Sequence, residues 1–157
     1  MPDLTLTTAT AAVQNAPTAK NKLSTVRGTP DHRVVVDTFT CAGALAAGDK
    51  IRVRIVQGGS EILPVLSDIV EATFASELRL DVGIYEVAAD RGIGAEVDGD
   101  NLADGVDFAG GGVYAARPLA VPTVQNEYWI VAEVKAVTGN TYTGQKIDFY
   151  TAINSAN

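Results

Sequence analysis

Apolar and polar residues alternate along two runs of this chain. In Gly48-Asp49-Lys50-Ile51-Arg52-Val53-Arg54-Ile55, the aliphatic Ile51, Val53 and Ile55 fall at one parity and Lys50, Arg52 and Arg54 at the other. Leu78-Arg79-Leu80-Asp81-Val82-Gly83-Ile84-Tyr85 repeats the arrangement with Leu78, Leu80, Val82 and Ile84. A period of two belongs to a strand with one buried and one wet face. Strands are therefore predicted over 50–56 and 78–86, with Lys50, Arg52 and Arg54 as a basic row on the outside.

Arg33-Val34-Val35-Val36-Asp37-Thr38-Phe39-Thr40 is β-branched and aromatic, and reads as another strand. So do Glu127–Thr138 and Gln145–Ile153, the latter with Ile147, Phe149, Thr151 and Ile153 on one face; Val137 to Gly144 would join the two as a hairpin-type loop. Ile62–Val70 contains Pro64, which cannot donate to a ladder, so an edge strand or irregular entry is expected there. Residues 68–77 also admit a short helix with Ile69, Val70 and Phe74 on one side, but the strand signals on both flanks favour extended chain. Residues 88–112 are rich in Gly and Asp and read as a long loop of the kind that often carries function. Residues 1–25, rich in Thr, Ala and Asn, read either as a frayed terminus or as an arm that orders against a partner. The expected fold is all-β: a single-domain β-sandwich or jelly roll of about seven or eight antiparallel strands over 26–157, preceded by an extended N-terminal arm over 1–25.

Composition narrows the partners. The 157 residues suffice for one domain with a real core. A net charge of -7 argues against a nucleic-acid backbone or an anionic membrane as partner. No apolar run approaches the roughly 20 residues of a membrane helix, and Met1-Pro2-Asp3-Leu4-Thr5 lacks signal-peptide character, so synthesis in the cytosol is expected. Cys41 is the single cysteine, which excludes an intramolecular disulfide and a cysteine metal cluster.

No catalytic set emerges, and no cofactor is expected. Gly92-Ile93-Gly94 lacks the third glycine of a dinucleotide fingerprint. His32, the single histidine, stands between a proline turn and a strand without a Gly-x-Ser-x-Gly elbow elsewhere. Cys41 reads as a small buried apolar residue. Paired carboxylates could serve glycoside hydrolysis, yet no pair stands out. Asp98, Asp100, Asp104 and Asp107 are the candidates for a hard cation such as calcium, although Leu102 breaks the EF-hand spacing; a solvated acidic loop is the competing reading and no metal is predicted. Trp129 is either core or an interface hot spot. The apolar run Val131, Ala132, Val134 and Ala136 suggests more hidden surface than a lone sandwich needs, as an oligomer would provide.

The order of these elements resembles the head decoration, or cement, proteins of tailed bacteriophage virions. The resemblance rests on Gly48-Asp49-Lys50-Ile51, the Gly59 to Val70 segment, Leu80-Asp81-Val82-Gly83-Ile84, Asp104-Gly105-Val106-Asp107-Phe108 and the closing Thr/Ala-rich strands, and covers roughly residues 26–153. It implies a non-enzymatic protein on the capsid surface, bound to the major capsid protein and to itself, as trimers at threefold positions. Candidate partner contacts are then Lys20 and Lys22 in the arm, the row Lys50, Arg52 and Arg54, and Trp129. Two other classes stay open: a phage tail, fibre or other receptor- or carbohydrate-binding β-module, and a hydrolase on a β-scaffold.

Overall fold

The structure, a computed structural model, describes residues 5–7, 32–62, 68–71, 77–107, 112–115, 126–138 and 144–154. Lys20 and Lys22 lie outside them. All regular structure among the described residues is strand: β1 (Thr5–Thr7), β2 (His32–Thr40), β3 (Lys50–Val56), β4 (Glu61–Ile62), β5 (Asp68–Glu71), β6 (Leu78–Val87), β7 (Ile93–Asp107), β8 (Gly112–Ala115), β9 (Tyr128–Val137) and β10 (Lys146–Asn154). Sheet I runs β1-β3-β9-β6-β7, and sheet II runs β2-β10-β5-β8 with β4 also on β10. The all-β sandwich is thus present, with ten described strands instead of seven or eight. It is not wholly antiparallel. Thr5–Thr7, inside the expected arm, pairs in parallel with Lys50–Arg52 at the edge of sheet I.

The inner faces of the two sheets close on one core. Leu78, Leu80, Val82 and Ile84 of β6 are buried there as the alternation predicts, facing Ile147 and Phe149 of β10 and Phe39 of β2. β9 and β10 do not form the expected hairpin: β9 lies in sheet I and β10 in sheet II, so the connection crosses between layers. The segment around Pro64, expected as an edge strand or an irregular entry, contributes two short strands, both laid on β10, with Ile62 opposite Ile153 and Ile69 opposite Phe149. Asp68–Glu71 is strand, which removes the helical alternative there.

Two irregularities decide what each outer face presents. In β3 the partners on β9 run Arg52↔Val131, Arg54↔Ile130, Ile55↔Trp129, so Val53 is an extra residue. A bulge of one residue inverts the facing of everything after it. Arg54 therefore turns into the sandwich and Ile55 turns out, the reverse of the simple alternation. In β7 the expected loop is a bulged strand: residues 93–107 pair with residues 87–79 of β6 through repeated register shifts. The surplus chain folds across the outer side of sheet I. A Cβ on Gly83 would stand 2.2 Å from the carbonyl carbon of Gly99 and 2.3 Å from the Asp98 carbonyl oxygen, so only glycine lets the two backbones meet there.

Candidate functional site

The expected basic row divides at the bulge. Arg54 is 3% exposed and forms a fork with Asp37 of β2, Nε to Oδ2 at 2.5 Å and the second nitrogen to Oδ1 at 2.9 Å. This bidentate pair spans the two sheets, so Arg54 leaves the outer surface and ties the layers together. Lys50 and Arg52 stay on the outer face of sheet I. Lys50 Nζ stands 4.7 Å from the centre of the Tyr85 ring and 3.7 Å from Glu133 Oε2. The Arg52 guanidinium lies 5.8 Å from the Trp129 ring.

Trp129 is fully buried, but not in the main core. With Ile55, Tyr85 and Val131 it forms a second cluster on the outer face of sheet I. The β6–β7 turn covers it. Arg91 takes a positive φ of 62° there, and the indole N–H donates to the carbonyls of Arg91 and Gly92 at 3.1 and 3.0 Å. The hidden apolar surface around Val131 is therefore covered by this chain's own turn and β7, without needing a neighbouring copy.

Beside this cluster the charges answer one another. Lys135 bridges Glu133 at 3.1 Å and Asp81 at 3.2 Å. The Tyr85 hydroxyl lies 3.1 Å from Glu133 and 3.2 Å from Glu96. Partial burial works to raise the pKa of Glu133, but hydrogen bonds from Lys135 and Tyr85 and the charges of Lys135 and Lys50 outweigh it, and the carboxyl sits below its usual value. The Lys135 ammonium is held above its own, first by its hydrogen bond to Glu133. Burial pushes the Tyr85 phenol up, and the Glu133 and Glu96 carboxylates add to the effect. These groups are engaged with one another across β6, β7 and β9.

The four candidate aspartates of β7 do not form one set, because Asp107 lies apart from Asp98. Asp98 is opposite Ile84 and Asp107 opposite Arg79, roughly 16 Å apart along β6 at strand pitch. Asp98 accepts a hydrogen bond from Asn101 at 3.0 Å. Asp100 is raised above its usual pKa, chiefly through a hydrogen bond with Asp98, with the charges of Asp98 and Asp104 adding to it. Among the described residues, no group of three or more His, Cys, Asp or Glu side chains is placed to hold a metal ion. Cys41 is buried and His32 begins β2 opposite Asn154.

The outer face of sheet II escaped the sequence reading. The buried Asp37 and Phe39 mark the inner parity of β2, which leaves Val34, Val36 and Thr38 outside. Val34 and Val36 are 58% and 44% exposed, and Val113 of β8, on the same face, is 65% exposed. The valine run 34–36 was legible as a strand, but not which of its sides would remain open.

The site so described belongs to an all-β sandwich of two sheets. The same fold occurs in a chain of the solved capsid of Ralstonia phage GP4, with a TM-score of 0.71 and 17% identity over 98% of this chain and 99% of that one. At that identity the likeness is one of fold. No protein-family model matches the chain, and no curated protein matches it.

Proposed function

We propose that this chain is a structural protein of a bacteriophage virion, of the decoration or cement type, which binds the outside of an assembled capsid and stabilises contacts between major capsid subunits. The observation that carries the reading is the fold match to a capsid chain along nearly the whole of both polypeptides. Coverage of 98% of this chain and 99% of that one means that the match takes in nearly the whole sandwich and not a shared fragment.

The role asks for binding, not catalysis. A rigid sandwich meets a preformed shell with little ordering cost, and repetition on a symmetric lattice lets modest contacts suffice. In this reading the protein is made in the host cytoplasm, where its charge of -7 keeps it soluble, and it then adds to the capsid surface as a homotrimer. Residues 8–25, beyond the strand Thr5–Thr7 that sheet I holds, would serve as an arm toward a second subunit. A carbohydrate-binding module would call for exposed rings to stack on sugars, whereas among the described residues Trp129, Tyr85, Tyr128, Phe39 and Phe149 are buried and Tyr114 and Tyr150 half-buried.

Counting this chain against the major shell protein by quantitative mass spectrometry of purified particles tests the reading. A simple ratio corresponding to hundreds of copies is expected. A handful of copies would move the protein to the tail or a fibre, and absence from the particle would overturn a virion role.

A further inference from the structure

β7 carries both Asp-Gly steps of the chain, Asp98-Gly99 and Asp104-Gly105. An aspartate followed by glycine is open to attack by its own backbone. No side chain stands in front of the next amide nitrogen, so that nitrogen can reach the aspartate Cγ and close a succinimide ring. Water opens the ring at either carbonyl. One of the two products, isoaspartate, runs the main chain through the former side chain.

The fold sets the two steps apart. Asp98-Gly99 is half-buried where β7 presses on β6, the close approach that Gly83 permits. The Asp98 carboxylate accepts from the Asn101 amide at 3.0 Å, and a Cβ on Gly99 would stand 2.6 Å from Glu96 Oε1. Packing of that kind leaves neither backbone nor side chain room to turn into a ring. Asp104 and Gly105 are both exposed, and a Cβ on Gly105 would meet nothing within 4 Å. Leu80 pairs with Val106 and Val82 with Ala103, so these two residues stand opposite the single Asp81 as a β-bulge, with Gly105 at a φ of 56°. The Gly105 N–H donates to a side chain there, Asp81 Oδ1 at 2.7 Å. Asp81 is buried, and its other oxygen lies 3.2 Å from Lys135 Nζ. A carboxylate at such a distance from an N–H is within reach of its proton.

We propose that the Asp104-Gly105 bulge is a site of spontaneous isoaspartate formation, with Asp81 as the base. The Gly105 nitrogen bonds to Cγ of Asp104 while its proton passes to Asp81 Oδ1. One carboxylate oxygen of Asp104 leaves as water, taking up that proton and one more from solvent. Hydrolysis of the bond between the Gly105 nitrogen and the Asp104 main-chain carbonyl then gives isoaspartate, which adds one methylene to the β7 backbone and leaves the net charge unchanged. A bulge already absorbs a surplus residue, so the longer backbone is accommodated with the sandwich folded. The chemistry needs this chain and water alone, and it stands apart from the decoration reading.

The test ages the folded protein and the guanidinium-unfolded protein side by side in warm neutral buffer. Peptides carrying isoaspartate separate from the parent peptide at unchanged mass, and electron-transfer fragmentation assigns the position. In the unfolded chain both steps are expected to react at similar rates. In the folded protein position 98 should slow by about tenfold or more, as closed structure protects, while position 104 keeps at least its unfolded rate. Equal suppression at the two positions would overturn the site. Asp81→Asn keeps an oxygen to accept the Gly105 N–H but has no carboxylate to take its proton, and circular dichroism checks its fold. Isoaspartate at position 104 of the folded variant is expected to form about tenfold or more slowly, with no change in the unfolded variant. An equal or faster rate in the folded variant would make Asp81 a clamp and overturn its role as base. The comparison of folded with unfolded unmodified chain decides the site whether or not this variant folds.

Discussion

Arg54 and Asp37 illustrate how one buried pair can carry two meanings. Each charge is almost wholly withdrawn from water, and the fork between them joins β3 of one sheet to β2 of the other. Removing one partner leaves the other as an isolated buried charge, which costs about 3–5 kcal/mol, while replacing both by apolar residues of similar volume is often neutral or stabilising. Urea unfolding is therefore expected to show large losses for Arg54→Met and for Asp37→Leu. The double variant should be more stable than either. Losses that simply add would mean that the two side chains act independently. The pair was not legible because Arg54 occupies a polar position in a regular alternation, and nothing local distinguishes it from Lys50 and Arg52. Only the extra residue at Val53 turns it inward.

At the scale of elements, β6 and β10 were readable because their inward residues keep a regular phase over their lengths, and β9 because its apolar run is long, although an extra residue at Lys135 shifts its phase. β7 was not. Its glycines and aspartates are poor strand formers in isolation, and it extends because β6 offers a ladder and Gly83 offers room. The supposed hairpin between β9 and β10 failed for a different reason: neighbours in sequence can belong to opposite layers, and alternation says nothing about which sheet a strand joins. The crossing at Gly83 gives a direct check. Gly83→Ala forces the β7 backbone off sheet I and is expected to cost about 1–3 kcal/mol or more. Gly43→Ala, whose Cβ would meet nothing within 4 Å, should change stability by less than about 0.5 kcal/mol. Equal effects in chemical denaturation would contradict the close approach.

The whole molecule should respond to alkali through two phenols. Burial raises the pKa of both Tyr85 and Tyr128 above 10.0, and for Tyr85 the neighbouring carboxylates raise it further. The unfolded chain loses these protons first, near its ordinary value of about 10. The stability these groups contribute is therefore intact below that pH and declines as pH rises above it. In a phenolate absorbance titration, Tyr85 and Tyr128 are expected to ionise only together with loss of the β-sheet circular dichroism signal. Ionisation of every tyrosine near pH 10 with the fold intact would contradict this.

One further consequence concerns crowding. β7 forms an edge of sheet I and carries Glu96, Asp98, Asp100, Asp104 and Asp107 without a single lysine or arginine along its length. Exposed strand edges invite neighbouring chains to extend the ladder, and like charge along an edge resists it. Two such edges approaching one another would confront acid with acid, so chains held at high local density should stay separate molecules instead of merging into a continuous sheet.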